Sequence, residues 1–419
     1  MFHSVVHVLR LRHHRNGSDV LSGQSSYLFL QRALINVLLL ALLFFGLLCY
    51  LFASLFELEP RTHNIDILWV DYDHGAVGDA VRAAYASLHS NKFPTLLEQP
   101  EAIFPSSDDL KKAICRSHYW AALYTLPGAS DKLSATILES NTSQYEPSHV
   151  LSYIWNEARY PIVMDRIVAN NLQALSDNAR VEYVARNIEN AVSFNFSAAT
   201  PASFAAASTP WHLSSINIQP TTQGTRNVYN TVLIVLILMQ EFLFLNILNA
   251  LCVQFNLRAN TAPFVVIALR VGISGVFTLL SSLLITCAIW IFAGAWHLSS
   301  TQFALNWMTL WLLAHINFLT LDIVTVWICP RYVPMVLISW AVINVTSTIL
   351  PFELSSPFYR WAYAVPAHEA YEVLTNIWSR GCNSHLHIAL PTLFAYEVCG
   401  ILLSGLGVFY RCRCRSDLS

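Results

Sequence analysis

Charge is what this 419-residue chain has least of. Only 12% of its residues are Asp, Glu, Lys or Arg, against roughly 25% in an ordinary soluble domain. Lysine is confined to Lys92, Lys111, Lys112 and Lys132. A net charge of −2 leaves no basic footprint for nucleic acid, which is not expected as a partner. No lysine follows a G-x-x-x-x-G, so there is no Walker A loop to cradle the phosphates of ATP. No G-x-S-x-G elbow marks a serine hydrolase, and no internal repeat is visible. With 55% hydrophobic residues and a mean hydropathy of +0.45, the composition also excludes a disordered, collagen-like or small disulfide-stapled protein.

What is there is apolar sequence in long runs. Residues 34–56 carry no charge, and as a helix they reach roughly 34 Å, enough to cross a bilayer core. The run is too long for a signal-peptide core and lacks a small-residue cleavage site, so it reads as an uncleaved signal anchor. Further runs lie near 228–253, 264–292, 303–329, 333–350 and 388–410. Residues 57–226 between the first two hold 30 of the 50 charged residues. The expected fold is therefore a polytopic α-helical membrane protein of six spans. A large extracytosolic α/β domain falls between spans one and two.

Arginine placement sets the orientation. Arg10, Arg12, Arg15, Arg32, Arg258, Arg331, Arg411, Arg413 and Arg415 all fall on one side in a six-span arrangement. The positive-inside rule makes that side cytosolic, with both termini there and 57–226 luminal or extracellular. The segments are then a basic arm (1–33), the anchor (34–56), the α/β domain (57–226) and spans two to five (227–350). After them come outer re-entrant or interfacial helices (351–387), the last span (388–410) and a basic tail (411–419).

Within the insert, NIDILWVD (64–71) predicts a buried strand followed by a helix from about Gly78 to Leu88. Two more strand–helix units are expected, 92–98 with 107–116 and 118–125 with 129–139, and a last strand near 212–218. This alternation suggests a mixed or parallel sheet. Met164, Val168, Leu172 and Leu175 mark one helix face, and Val181, Val184, Ile188 and Val192 another. Residues 197–208 read as a flexible linker.

VDYDHGAVG (70–78) is the most chemical-looking segment. A strand ending in Asp71-x-Asp73 resembles the first motif of haloacid-dehalogenase-type phosphatases, where one carboxylate attacks phosphorus and the next handles the proton. No downstream carboxylate pair for Mg²⁺ is recognisable. The structural alternative has Asp73 capping a helix while Gly75 and Gly78 free the turn. A third possibility is a ligand turn built by Asp71, Asp73, Gly75 and Gly78 at the helix N-terminus. Cys382 with His385 and His387 lacks a fourth metal ligand. No cofactor or metal is expected, and no enzymatic activity.

Asn141 and Asn195 are glycosylation acceptors in the insert. Asn16 and Asn344 also match, at positions read as cytosolic and intramembrane. Cys115 and Cys382 are the cysteines placed on the oxidising side, and spacing does not say whether they pair. Cys412 and Cys414 abut the last span and are candidates for S-palmitoylation. Residues 351–379 are too polar to span. After Pro366, Ala370, Tyr371, Leu374, Ile377 and Trp378 line one helix face, with Glu369, Glu372 and Asn376 elsewhere.

Three ionisable residues are read within the spans: Glu241, Arg270 and Asp322. Such residues are costly in hydrocarbon and default to functional hypotheses. At ~1.5 Å per residue, Arg270 lies about 9 Å and Asp322 roughly 10 Å from the cytosolic ends of antiparallel helices, a depth match that suggests an ion pair. Glu241 lies about 18 Å deep, with Asn246 as its expected neighbour, and is the candidate for proton or substrate coupling. Gly400 and Ser404 form a small-x-x-x-small pair that permits close helix contact within the chain or in a homodimer.

VDYDHGAVG, YTLPGAS, WNEARY, INIQPTTQGTRNVYN and PFELSSPFYRWAYAVPAHEAYE together resemble the fungal nitrosoguanidine-resistance family, over nearly the whole chain. That family is in turn similar in architecture to the membrane subunits of type-2 ABC exporters: one span, a large outer domain, five spans, and a re-entrant segment before the last. The resemblance implies a plasma-membrane or secretory-pathway protein linked to tolerance of toxic compounds. Implied partners are membrane lipid, a small xenobiotic, and a partner ATPase or second copy. His74-Gly75 departs from the two glycines usual in that family after the second Asp. The expected function is permease-like, by efflux or by altering the membrane, without an ATPase of its own. The alternatives are a non-transporting lipid-organising scaffold and an outward-facing phosphatase using Asp71 and Asp73.

Overall fold

The structure is a computed structural model of the chain and describes residues 23–139, 146–186, 201–221, 228–293 and 299–416. Asn141 and Asn195 lie outside the described residues. Six helices are long and apolar enough to cross a membrane: Tyr27–Leu55, Val232–Gln254, Pro263–Ile291, Ser300–Trp327, Pro330–Ile349 and Leu386–Cys412. The chain divides into two units, residues 1–50 and a larger one from Leu51 to Ser419. The first unit holds most of helix α1 (Gly23–Leu55), whose side chains are mostly exposed and apolar.

The larger unit begins with a five-stranded sheet of order β2-β1-β3-β4-β5. Its strands are β1 (Asp66–Asp71), β2 (Thr95–Glu98), β3 (Ala121–Thr125), β4 (Leu151–Trp155) and β5 (Ser214–Asn217). Strand β1 pairs parallel with β2 and β3, β3 pairs antiparallel with β4, and β4 pairs parallel with β5. Helices α2 (Ala76–Leu88), α3 (Ser107–Cys115), α4 (Ala129–Glu139), α5 (Asn170–Arg186) and α6 (Pro201–Ser208) accompany it. Strand side chains alternate between faces, and β1 shows the result. Ile67 and Trp69 join one core with Val77 and Val81 of α2. Leu68 and Val70 join another with Leu110 and Ile114 of α3. Burial on both faces explains why β1 reads as a continuous apolar run. Helix α3 starts where Ser106 accepts a hydrogen bond from the Asp109 amide, with Asp108 and Asp109 in its first turn.

The insert differs from the expectation in three places. Strand β4 was not anticipated. Part of the expected linker, 201–208, is helix α6: its alanines favour helix, Pro201 suits the first turn, and Ser203 and Ala206 are buried. Val181 and Val184 do not form a buried face, being 67% and 39% exposed on α5. Ile188 and Val192 lie outside the described residues.

The remaining helices are α7 (Val232–Gln254), α8 (Pro263–Ile291), α9 (Ser300–Trp327), α10 (Val333–Ile349), α11 (Pro366–Trp378) and α12 (Leu386–Ser416). Helix α9 begins with a capping box, in which Ser299 Oγ accepts from the Gln302 amide and the Gln302 side chain accepts from the Ser299 amide. Helix α11 packs against α9, α10 and α12. The expected division of its faces is not observed: all thirteen residues are buried, Glu369, Glu372 and Asn376 included. Its aromatic side reaches the sheet segment, where Tyr371 lies edge-on to Tyr160 with ring centroids 5.2 Å apart. One apolar core accordingly runs from Trp69 and Tyr153 of the sheet to Leu313 of α9 and Trp378 of α11.

Candidate functional site

Helix α8 is built the opposite way from a helix in water. Its exposed residues include Phe264, Ile273, Val276, Leu280 and Leu284. Its buried residues are Val266, Arg270, Ser274, Thr278, Ser281, Ser282, Thr286 and Ile289. Steps of three or four residues, with Ser281 and Ser282 adjacent, put the polar six along one stripe, and at ~1.5 Å per residue Arg270 and Thr286 stand about 24 Å apart. A bilayer core is roughly 30 Å thick, so this polar seam follows most of the span.

Five of the six polar seam residues meet a partner on another helix, Thr278 Oγ1 accepting from Trp311 Nε1 of α9 at 3.1 Å, while Ser282 Oγ donates to the Leu279 carbonyl within α8. Arg270 Nη2 donates to Asp322 Oδ1 of α9 at 2.6 Å, and its Nη1 donates to Asn249 Oδ1 of α7 at 3.0 Å. Ser404 Oγ of α12 donates to Asp322 Oδ2 at 2.5 Å. One ion pair thereby joins four helices. His315 of α9 stands between Ser274 Oγ, 3.3 Å from Nε2, and Glu397 Oε1 of α12, 2.5 Å from Nδ1. Ser281 Oγ donates to Glu241 Oε1 of α7 at 3.4 Å. Farther along, Asn306 Nδ2 donates to Thr286 Oγ1 at 3.2 Å, and Asn306 Oδ1 accepts from Trp378 Nε1 of α11 at 3.1 Å.

Two carboxylates in the seam are incompletely partnered. Glu241 is fully buried and its Oε2 has no hydrogen-bond partner among the described residues, and the same holds for Glu397 Oε2. The neighbour of Glu241 is Ser281 and not Asn246, whose amide bonds to the Phe242 carbonyl one turn back. His315 and Glu397 went unrecognised in the sequence. Gly400 and Ser404 serve contacts within the chain: a Cβ on Gly400 would come 3.0 Å from Leu319 Cδ1, so α12 and α9 approach closely there.

The turn after β1 is occupied by its own carboxylates. Asp71 Oδ1 accepts from the amides of Asp73 and His74, each at 3.1 Å, and from Thr125 Oγ1 at 2.6 Å. Asp71 Oδ2 accepts from Arg82 Nη2 at 2.8 Å. Asp73 does not cap α2. It accepts from the Ser130 amide at 3.0 Å and from the Ser130 hydroxyl on α4, while Gly75 occupies the N-cap without a side-chain bond. The left-handed residue of the turn is His74, at φ +50°. Gly78 provides closeness, since a Cβ there would lie 2.0 Å from Asp71 Oδ2. Asp71 is 4% exposed with both oxygens engaged, and it holds the Asp73 and His74 amides. These bonds tie Asp71 to the turn through both of its oxygens.

A third polar cluster joins the sheet segment to α11. Cys115 at the end of α3 is disulfide-bonded to Cys382. Around the bond, Ser117 Oγ donates to Asn383 Oδ1, Ser384 Oγ to the Arg116 carbonyl, and Asn156 Nδ2 to the Cys382 carbonyl. A cavity of about 30 Å³ nearby is lined by Arg159, Tyr160, Glu353, His368, Glu372 and His385 among others, room for about two waters. Burial first, and the neighbouring Glu372 second, push the Glu369 carboxyl up to about 7. Burial lowers His368 below the usual histidine value. His385 and His387 face Asn383 and the Ser384 carbonyl, and no group of three metal ligands occurs among the described residues. Cys412 is buried beside Val266 and Val408, and the Cys414 side chain lies outside those described.

Six spanning-length apolar helices with an interior polar seam define a polytopic membrane protein. The family described as a protein of unknown function (DUF3533) matches residues 36–402, and the chain belongs to it. No solved structure matches the chain.

Proposed function

We propose that this protein is a permease-like membrane protein that contributes to tolerance of toxic compounds, by efflux or by altering the membrane. The observation that carries the reading is Glu241: a fully buried carboxylate in a spanning-length helix, with one oxygen unpartnered and no cation paired to it among the described residues. Such a group is expensive in hydrocarbon and is retained where it binds a proton or a cationic substrate. The resemblance to the nitrosoguanidine-resistance family and to type-2 ABC exporter subunits supports the same reading. Both termini are then cytosolic, and 57–226 faces the lumen or exterior of the plasma membrane or secretory pathway. Asn141 and Asn195 would be glycosylated there. The protein performs no catalysis of its own, and energy comes from an ion gradient or a partner ATPase, with a homodimer as a further possibility.

The test is reconstitution of the full chain into sealed vesicles with candidate compounds, with and without a pH gradient. Wild type should accumulate compound only with the gradient. Glu241→Gln should express normally and lose both flux and cellular resistance. Full flux in Glu241→Gln would end the coupling role. Absent flux alongside an altered lipid distribution would favour the scaffold reading.

A further inference from the structure

We propose that His315 and Glu397 form a second proton-binding site in the seam, which takes up or releases one proton while the hydroxyl of Ser274 rotates. The proposal rests on the permease reading only for its purpose, and the site itself follows from geometry. His315 Nδ1 and Glu397 Oε1 are 2.5 Å apart, and two bare lone pairs at that distance would repel, so one proton lies between them. The other face of the ring meets Ser274 Oγ at 3.3 Å. Ser274 has a single proton and two acceptors in reach, Nε2 and the Val271 carbonyl at 3.0 Å.

The two choices define two protonation states. When Ser274 donates to the Val271 carbonyl, its oxygen accepts from Nε2–H, and the dyad carries that proton as well as the shared one. Its net charge is then zero. When Ser274 donates to Nε2, only the shared proton remains and the dyad carries −1. One proton moves between the seam and Nε2, one hydroxyl turns, and no heavy atom need shift. Glu397 Oε2, without a partner among the described residues, offers no fixed donor that would lock the carboxyl in the charged form.

The surrounding charges are engaged elsewhere. On α8 the nearest is Arg270, one turn from Ser274 and held by Asp322 of α9. Helix α7 presents Glu241, against Ser281. Helix α10 has no ionisable side chain. On α11, His368 contacts the Ser347 carbonyl, Glu372 accepts from Asn383, and Glu369 lies beside Glu372. On α12, His387 contacts the Ser384 carbonyl and Arg411 donates to Thr325. No fixed cation pairs with Glu397 among the described residues, so its charge is set by the proton it shares.

Infrared difference spectra of the purified full-length protein, recorded across roughly pH 5–8, test this. Wild type should show a carboxyl or carboxylate change that disappears in Glu397→Gln and persists in Glu241→Gln. Ser274→Ala should retain the change and move its midpoint by at least about 0.5 pH unit, roughly threefold in proton affinity. A spectrum unchanged by Glu397→Gln overturns the proposal, as does an unmoved midpoint in Ser274→Ala. The alanine variant decides alone if Glu397→Gln does not fold. The readout needs no transported compound. A titrating dyad in a protein that moves nothing sinks only the permease reading, and transport with a silent dyad sinks only this one.

Discussion

Asp71 and Glu241 are both buried carboxylates, 4% and 0% exposed, and their surroundings treat them in opposite ways. Asp71 sits at the end of a strand and receives two amides, a hydroxyl and a guanidinium, so every lone-pair direction it needs is served. Glu241 sits in an apolar helix with a single long contact to Ser281 and one oxygen bare. Ordinary stability reasoning favours the first arrangement, because a buried charge without partners is costly. The lesson is that a chemical-looking motif can be tied up in internal hydrogen bonds, while a lone Glu in an apolar run can be left with a bare oxygen.

Substitutions can break or sharpen that contrast. The largest loss is expected at the ion pair that joins four helices. Arg270→Gln or Asp322→Asn alone should cost on the order of 3–5 kcal/mol, since each strands a buried charge. The double variant should recover much of it in a thermal-unfolding assay of the detergent-purified protein, and strictly additive losses would refute the pairing. Asp71→Asn comes next, at about 1.5–3 kcal/mol for hydrogen bonds to a charged group. The loss stays below that at Asp322, because Arg82 is 38% exposed on its side chain and also holds Glu98 and Asp79. A cost as large as at Asp322 would erase the distinction.

Glu369 provides a third kind of carboxylate. Its folded value is raised to about 7 from 4.5, so the folded state favours the protonated acid. Stability should therefore be fullest below about pH 4.5 and fall as pH rises through about 7, with Glu369→Gln flattening that dependence. The smallest effect belongs to Glu241→Gln, under about 1 kcal/mol, because Gln removes no paired charge. A larger destabilisation would move Glu241 into the same class as Asp71.

The parts legible in the sequence are those written in long or regular patterns. The six apolar runs needed only length, and β1 with its helix needed only an apolar run that ends in a turn. Strand β4 was harder: LSYIW is five residues, buried on both faces, and gives no alternation to separate it from a helix segment. Glu397 was hidden because one carboxyl barely lowers the hydropathy of a 27-residue span, and His315 because a neutral histidine does not register as charge. Depth arithmetic brought Arg270 and Asp322 to one level, since rise per residue is fixed in a helix. It could not choose a neighbour for Glu241, because that depends on which face of α7 meets α8. The error at α11 had the same root: a split of polar and apolar faces implies water on one side only when no protein covers it, and Asn383 covers Glu372.

The Cys115–Cys382 link has a consequence for the order in which the chain can be finished. Its two cysteines are 267 residues apart, and five of the six candidate spans precede the second. During synthesis Cys115 must wait, reduced or held by some transient partner, until residue 382 has been made. The other cysteines lie within or beside apolar segments, so the waiting thiol has few wrong matches in the same chain. Closure of this bond therefore reports progress: only a chain that has made five of the six candidate spans and delivered residue 382 to the end of α3 can form it. A chain truncated before residue 382 would keep Cys115 without its partner, a chemical flag by which such a copy differs from one that has reached Cys382.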